Sequence, residues 1–284
     1  MLKQRIITAL AMLAILLPAM FYHSAMPFGV VTLVLLACAA WEWARLNAYG
    51  PAAALVTGGA CAVLCAASWY AGLPTAQVGT VWLLVGAFWV LASAWVLRAG
   101  AAAWLALPAL LRLVGGTVLL WAAWLAVMQA RLAGINFLLS VLVLVWAADI
   151  GAYFSGRALG GKFFANKLAP SVSPGKTWEG VVGGAVAVWL VALVWMYADG
   201  HAALDSSSVY SRLWTMGLPV LLSGLLFLTA MSVVGDLVES LFKRAAGVKD
   251  SSNLLPGHGG VLDRVDALLP TLPLAMMLIS GVAA

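Results

Sequence analysis

Long apolar runs separated by short polar stretches dominate the chain. A helix that crosses a bilayer needs about 20 apolar residues at a rise of 1.5 Å each, and runs of that length recur throughout. The pattern predicts an all-α, polytopic integral membrane protein with about nine transmembrane helices. The predicted spans are 6–22, 27–43, 52–71, 77–97, 113–130, 135–155, 180–198, 214–238 and 267–283. The segment 101–111 fits an interfacial helix, a re-entrant segment or a further span.

Composition supports a membrane protein. Of the 284 residues, 64% are hydrophobic and 9% are charged, whereas a soluble domain carries about 25% charged residues. A β-barrel is disfavoured because its strands would alternate apolar and polar positions. The net charge of +5 is not massed in a basic tail, so we expect no nucleic-acid partner. Cys38, Cys61 and Cys65 lie in apolar runs and are interpreted as small buried residues.

The basic residues also predict an orientation, because cytoplasmic loops are enriched in Lys and Arg. Lys3 and Arg5 place the N-terminus in the cytoplasm. The polar stretches 156–179 and 239–266 then face the cytoplasm, and the stretch 199–213 faces outward. The two inward stretches hold most of the basic residues between the later spans, which agrees with this arrangement.

The distribution of carboxylates along the sequence divides the chain into two parts. Glu42 is the sole carboxylate before Asp149, and the other nine of the ten lie from Asp149 onward. This distribution predicts an N-terminal transmembrane scaffold of about five helices in residues 1–134. It also predicts a C-terminal catalytic region of about four helices with two cytoplasmic polar loops in residues 135–284.

Several polar residues at the end of the eighth predicted span fall on one helical face because their spacing follows the 3.6-residue period. They are Ser232, Asp236, Glu239, Ser240 and Lys243. A carboxylate at membrane depth costs about 2.5–3.5 kcal/mol on insertion scales, so it indicates function. Lys243 and Arg244 could instead extend to the membrane surface, but the short side chain of Asp236 cannot reach far.

A Gly-rich segment, Leu255 to Gly260, follows that helix and precedes Asp263-Arg264-Val265-Asp266. Glycine lets backbone N–H groups approach phosphate oxygens closely. The two aspartates could simply cap a helix, an effect of about 0.3–1 kcal/mol each. Together with Asp236 they indicate a carboxylate cluster, and oxygen ligands without paired His or Cys favour Mg²⁺ over zinc.

The stretch 149–179 has the same mixed character. Asp149 lies inside the sixth predicted span, where a charge is costly. Ser173 to Thr177 forms a turn segment that leads into the next helix, which starts with Trp178 and Glu179. Basic residues alone would fit a cytoplasmic loop, but the added carboxylates favour a site for a polyanion and a divalent metal.

These residues carry a resemblance to a known family. The segments Ser240 to Arg244, Lys249-Asp250, His258-Gly259-Gly260 and Asp263 to Asp266 together resemble the signature of the phosphatidate cytidylyltransferases, also called CDP-diacylglycerol synthases. The earlier segment from Ser173 to Gly180 resembles that family's second hallmark. The resemblance covers roughly residues 146–270 and involves many fixed positions, which makes it specific.

The resemblance implies an Mg²⁺-dependent nucleotidyltransferase that transfers CMP from CTP to phosphatidic acid and releases pyrophosphate, with the question of a second cation left open. It implies a homodimer among membrane lipids in a bacterial inner membrane, with the active site facing the cytoplasm.

The implied residue roles are as follows. The predicted catalytic residues are Asp236, Lys243, Arg244, Asp263 and His258. The predicted substrate-binding residues are Ser173, Lys176, Thr177, Ser240, Lys249, Asp250, Gly259, Gly260, Arg264 and Arg157. The predicted metal ligands are Asp236, Asp263, Asp266, Glu239 and Asp149.

Two other functions fit parts of the pattern. A related nucleotidyltransferase could act on a different lipid phosphate, since the motifs do not specify the lipid tails. A transporter could use Asp149 and Asp236 as relay carboxylates, but it would spread its charges across membrane depth rather than cluster them.

Overall fold

The computed structural model describes residues 2–280, and these form an all-helical protein. The helices are α1 (Leu2–Phe21), α2 (Met26–Leu46), α3 (Pro51–Tyr70), α4 (Gly79–Ala106), α5 (Ala109–Ala133), α6 (Ile135–Leu159), α7 (Trp178–His201), α8 (Val209–Thr215), α9 (Leu218–Ala245), α10 (Leu262–Val265) and α11 (Leu268–Ser280). Within this part of the chain, β-structure is limited to isolated bridges. Eight helices, α1 to α7 and α9, are long and apolar enough to cross a membrane. The predicted fold class is therefore confirmed.

The helix ends differ from the predicted ones by up to nine residues along the chain, and the eighth and ninth predicted spans are also interrupted or shortened. The eighth, predicted at 214–238, is broken at Gly217, whose φ of 107° no other residue type adopts readily. Helix α9 therefore begins at Leu218 and continues to Ala245. The ninth corresponds to the 13-residue α11 after the single turn of α10. Residues 281–283 of that prediction lie outside the described residues.

The ambiguous segment 101–111 does not form a further span. Helix α4 is kinked at Gly100 (φ 81°) and continues to Ala106, and α5 begins at Ala109. Because 101–111 adds no candidate span between α4 and α5, the order of crossings predicted for the later helices is retained.

Helix α5 lies at the centre of the bundle. A continuous stretch from Ala122 to Arg131 is buried, and α5 packs against α2, α3, α6 and α11. Helix α11 in turn contacts α4 and α9. The two parts of the chain that the carboxylates distinguish are thus packed together in one bundle.

Small residues allow helices α6 and α7 to pack closely. A Cβ added at Gly151 would lie 2.8 Å from Gly183 O, and one at Gly184 would lie 2.7 Å from Ala148 O. Such contacts are typical of membrane helices, whose association depends on close packing. This tight hairpin fixes Asp149 on α6 relative to the loop that enters α7.

Candidate active site

Helix α9 presents the predicted polar face. Ser240 Oγ donates a hydrogen bond to Asp236 Oδ1 at 3.2 Å, one turn earlier. The Lys243 ammonium forms an ion pair with Glu239 and lies 2.6 Å from Asp263 Oδ1 on α10. The prediction that these residues share one helical face is therefore confirmed.

The loop before α7 meets α9. Lys176 Nζ lies 2.6 Å from Asp236 Oδ2, and both side chains are partly exposed, at 24% and 35%. This ion pair links the polar stretch 156–179 to α9 at Asp236, one turn before Ser240 in the polar stretch 239–266, so both stretches lie at one end of the bundle. The predicted meeting of the two stretches is confirmed, and a ligand that bridges them could contact both side chains.

Two further carboxylates lie near Asp236. Asp149 on α6 and Asp266 between α10 and α11 are both close enough to Asp236 for their charges to interact. Burial raises the pKa of Asp266 to about 7, and the negative charge of Asp236 contributes to the rise. Gly235 permits this approach, because a Cβ there would lie 2.6 Å from Asp266 O. The predicted carboxylate cluster thus includes residues from three helical segments.

Asp263 fixes the Gly-rich loop. Its Oδ2 accepts hydrogen bonds from Ser251 N at 2.9 Å, Ser251 Oγ at 2.9 Å and Gly260 N at 2.7 Å. Burial would raise the pKa of Asp263, but the bonds from Lys243, Gly260 and Ser251 outweigh it and lower the pKa below its usual value. Asp263 therefore remains ionised and positions the loop beside Lys243.

Glu42 anchors the same loop, a role that its position in the sequence did not predict. It is fully buried on α2, and its carboxylate accepts four hydrogen bonds. The donors are Ser251 Oγ at 3.1 Å, Ser252 Oγ at 2.6 Å, Val261 N at 2.9 Å and Leu262 N at 2.8 Å. The signal in the sequence was a lone carboxylate in a long apolar region, because a buried charge must be satisfied by polar partners.

Glycines shape the loop itself. Gly257 and Gly259 have φ values of 78° and 85°. A Cβ at Gly259 would lie 2.7 Å from Asp263 Oδ2, and one at Gly260 would lie 2.4 Å from Glu42 Oε1. The glycines are therefore required by the carboxylates that anchor the loop. His258 is half-buried, and its Nδ1 is buried without a hydrogen-bond partner.

The N-terminal helix also contacts this loop. Arg5 Nε donates to Gly257 O at 3.0 Å, and Thr8 Oγ1 donates to Pro256 O at 2.9 Å. The beginning of α1 therefore lies on the same side of the bundle as both polar stretches, as the sequence predicted.

The loop before α7 has its own carboxylate anchor. Glu179 Oε1 accepts hydrogen bonds from Phe163 N at 3.1 Å and Phe164 N at 3.0 Å. Thr177, a predicted substrate-binding residue, caps α7 by accepting a bond from Gly180 N at 3.1 Å. Ser173 lies in the preceding turn, where its backbone N–H donates to Ala169 O at 2.8 Å. These contacts hold the turn from which Lys176 extends.

The remaining predicted substrate-binding side chains lie at the solvent-facing rim. Arg157 donates to Tyr153 Oη at 3.0 Å, and Arg264 is exposed, as is the predicted catalytic residue Arg244. Lys249 and Asp250 line an open cavity of about 430 Å³ together with Arg45 and Trp41. Their positions permit contact with a charged ligand that approaches from solvent.

The donor set is compatible with Mg²⁺. Among residues 2–280, no three Asp, Glu, His or Cys side chains converge into a metal site by themselves. Protein-bound Mg²⁺ is commonly held by one or two carboxylates together with substrate phosphates and waters. Glu239 Oε1 is buried and accepts no hydrogen bond, and ammonium groups contact Asp236 and Asp263. The oxygens of Asp236 and Asp263 already contact cations and Glu239 Oε1 lacks a partner, so a hard metal ion fits the chemistry of all three carboxylates.

Comparison with known proteins gives consistent matches. A model of the cytidylyltransferase family matches residues 3–282. A Pseudomonas aeruginosa protein named phosphatidate cytidylyltransferase is 42% identical over 276 residues, which cover 96% of this chain and 95% of that relative. Proteins of the same name from Haemophilus influenzae and Staphylococcus saprophyticus are similar over about half of each chain. The first is 46% identical over 49% of this chain and 44% of the relative, and the second is 41% identical over 53% and 52%.

Proposed function

This chain belongs to the cytidylyltransferase family, and on that premise we propose that it transfers the CMP group of CTP to phosphatidate, giving CDP-diacylglycerol and pyrophosphate. A phosphate oxygen of phosphatidate forms a bond to the α-phosphorus of CTP, and the bond from that phosphorus to the departing pyrophosphate breaks. The attacking oxygen is already anionic, so the site needs no strong general base.

The main obstacle is electrostatic, because two polyanions must meet at one place. Lys176 and Lys243 bind phosphate groups near the carboxylates, and Lys249, Arg244 and Arg264 supply positive charge at the rim. The Gly-rich loop contributes by holding Asp263 beside Lys243, because its N–H groups donate to Asp263 and Glu42. Together they orient both substrates and stabilise the negative charge that accumulates on the departing pyrophosphate.

Asp236 and Asp263 are the first candidates to hold Mg²⁺, followed by Asp266, Glu239 and Asp149. When bound, Mg²⁺ would neutralise phosphate charge and make the α-phosphorus more electrophilic. The ion pairs of Lys176 with Asp236 and of Lys243 with Asp263 support this assignment. Each pair leaves an ammonium beside a carboxylate, so a phosphate could bind the ammonium while the metal binds the carboxylate.

The observation that carries the proposal is the Lys176–Asp236 ion pair at 2.6 Å, because it joins the motif before α7 to the helix that leads into the second motif at Ser240. A pyrophosphate-release assay on purified protein tests the proposal. We expect release only when CTP, phosphatidate and Mg²⁺ are all present, with labelled CDP-diacylglycerol as the product. Release with other lipid phosphates but not with phosphatidate would instead favour a related nucleotidyltransferase.

We further propose that the protein is a homodimer in a bacterial inner membrane, with its N-terminus and active site facing the cytoplasm. The bacterial relatives and the basic residues of the two polar stretches support this localisation. Native mass spectrometry in detergent would distinguish a dimer from a monomer.

A further inference from the structure

An apolar cavity of about 420 Å³ lies between helices α2, α4, α5 and α9. Its walls include the indole rings of Trp43, Trp89 and Trp104 and the ring of Phe242. Cavities of this size in proteins typically hold small ligands. Almost all of the lining is apolar, which excludes the phosphates of a nucleotide from most of its volume.

One end of the cavity is polar and belongs to the candidate active site. Glu239 and Asp266 line this end. The Glu239 side chain is only 7% exposed, and its Oε1 has no hydrogen-bond partner. A polar group of a ligand, or a cation that accompanies it, would satisfy this oxygen. The cavity therefore runs from the carboxylates into the apolar part of the bundle.

The cavity is also continuous with the outer apolar surface. Its lining residues Phe88, Trp95 and Leu111 are 50%, 45% and 58% exposed on helices α4 and α5. A molecule that occupied the cavity could thus have its polar end at Glu239 and its apolar end in the bilayer. Arg112 lies on the same wall, where its guanidinium stacks over Trp104 and its buried Nε has no hydrogen-bond partner.

We propose that this cavity binds an acyl chain of the lipid phosphate substrate and is the site where the enzyme discriminates chain length. The inference rests on the proposed function, which supplies a lipid whose phosphate must reach the carboxylate cluster. The apolar walls favour a hydrocarbon chain, because a polar occupant would lose its hydrogen-bond partners there and a chain that fits the walls gains dispersion contacts. The cation of Arg112 favours an anionic lipid over a neutral one.

Gly115 on α5 provides a direct test. It lines the cavity, and a Cβ added there would meet no heavy atom within 4 Å. The substitution Gly115→Leu should therefore fill part of the cavity without a clash. Gly59 on α3 provides the matched control, because a Cβ there also meets nothing within 4 Å and the residue does not line this cavity.

The measurement is kcat/KM for CTP-dependent turnover of dioleoyl and dihexanoyl phosphatidate by the purified full-length protein. In Gly115→Leu we expect the ratio of long-chain to short-chain kcat/KM to fall by about tenfold or more. In Gly59→Leu the ratio should equal that of the wild type. If Gly115→Leu fails to fold, Ala92→Leu on α4, which also lines the cavity, takes its place.

An unchanged ratio in the folded cavity variant, or an equal loss for both lipids, would overturn the acyl-chain assignment. A wild-type protein that turned over neither lipid would refute the proposed function itself. The two failures are therefore distinguishable by the same set of assays.

Discussion

Glu42 and Asp263 hold the Gly-rich loop through a shared residue, Ser251. Its hydroxyl lies 3.1 Å from Glu42 Oε2 and 2.9 Å from Asp263 Oδ2. A serine has a single O–H donor, so it can donate to one of these carboxylates at a time. The Ser252 hydroxyl and the backbone N–H groups of Ser251, Gly260, Val261 and Leu262 complete the set of donors. The loop conformation therefore depends on two buried carboxylates from distant parts of the chain.

The substitution Glu42→Gln should destabilise the protein by about 1–3 kcal/mol, because an amide NH₂ would replace an oxygen that accepts hydrogen bonds from buried donors. Ser252→Ala, which removes one of the four donors, should have a smaller effect of about 1 kcal/mol. Apparent melting temperatures of the purified variants in detergent would rank the two. A wild-type melting temperature for Glu42→Gln would contradict the anchoring role.

Asp236→Asn should lower the rate of CTP-dependent pyrophosphate release by about 100-fold or more, because it removes a charge at the reacting phosphates. Its melting temperature should stay close to that of the wild type, since Asp236 is 35% exposed. Asp263→Asn is the informative comparison, because that residue also anchors the loop and should lose both activity and stability. Near-normal turnover of Asp236→Asn would remove this residue from the active site.

The part of the site that the sequence could predict is the polar face of α9, because residue spacing along a single helix determines which side chains share a face. Asp236, Ser240 and Lys243 could be assigned to one face because the helical period fixes their relative directions. Glu42 could not be assigned, because its partner Ser251 is 209 positions away and hydropathy carries no information on long-range pairing. A lone buried carboxylate indicates that partners exist but does not identify them.

At the scale of elements, a loop and a helix are joined by one ion pair. Lys176 extends from a turn that Thr177 and Glu179 hold in place, and it reaches Asp236 on α9. The sequence predicted that both stretches lie on one side of the membrane. It did not predict that Lys176 pairs with Asp236, because the loop contains several basic residues that the sequence does not distinguish. The geometry of the turn determines that Lys176 is the one that reaches Asp236.

Lys176→Gln should reduce kcat/KM for CTP by about tenfold or more, because the substitution removes both a positive charge and the contact that positions the loop. Lys162→Gln is the matched control, since Lys162 lies in the same loop and its side chain is exposed. The control should retain wild-type turnover. Equal losses in the two variants would indicate that only the net charge of the loop matters.

For the whole molecule, the sequence predicted the all-helical membrane fold and the approximate number of spans, about nine against eight long apolar helices in residues 2–280, but not the packing of the helices. Apolar length alone predicts each span, because the bilayer sets the length of helix required. The contacts of α4 with α9 and of α5 with α11 join the predicted scaffold to the predicted catalytic region. Nearly every membrane helix is apolar on all faces, so hydropathy does not identify which faces meet. The division into a scaffold (residues 1–134) and a catalytic region (residues 135–284) remains a prediction of which part of the chain carries the catalytic residues.

The proposed orientation can be tested by cysteine labelling in intact cells. Cys38, Cys61 and Cys65 would first be replaced by alanine, and single cysteines would then be introduced by Lys162→Cys, Asn253→Cys and Ser207→Cys, all at exposed positions. Lys162 and Asn253 lie in the two polar stretches, whereas Ser207 follows α7 at the opposite end of the bundle. We expect a membrane-impermeant maleimide to label the Ser207→Cys variant in spheroplasts and the other two only after the membrane is permeabilised.

Labelling of the Lys162→Cys and Asn253→Cys variants on opposite sides of the membrane would contradict the Lys176–Asp236 ion pair, which places both stretches at one end of the bundle. Labelling of both from outside would reverse the orientation and place the substrate site away from cytoplasmic CTP.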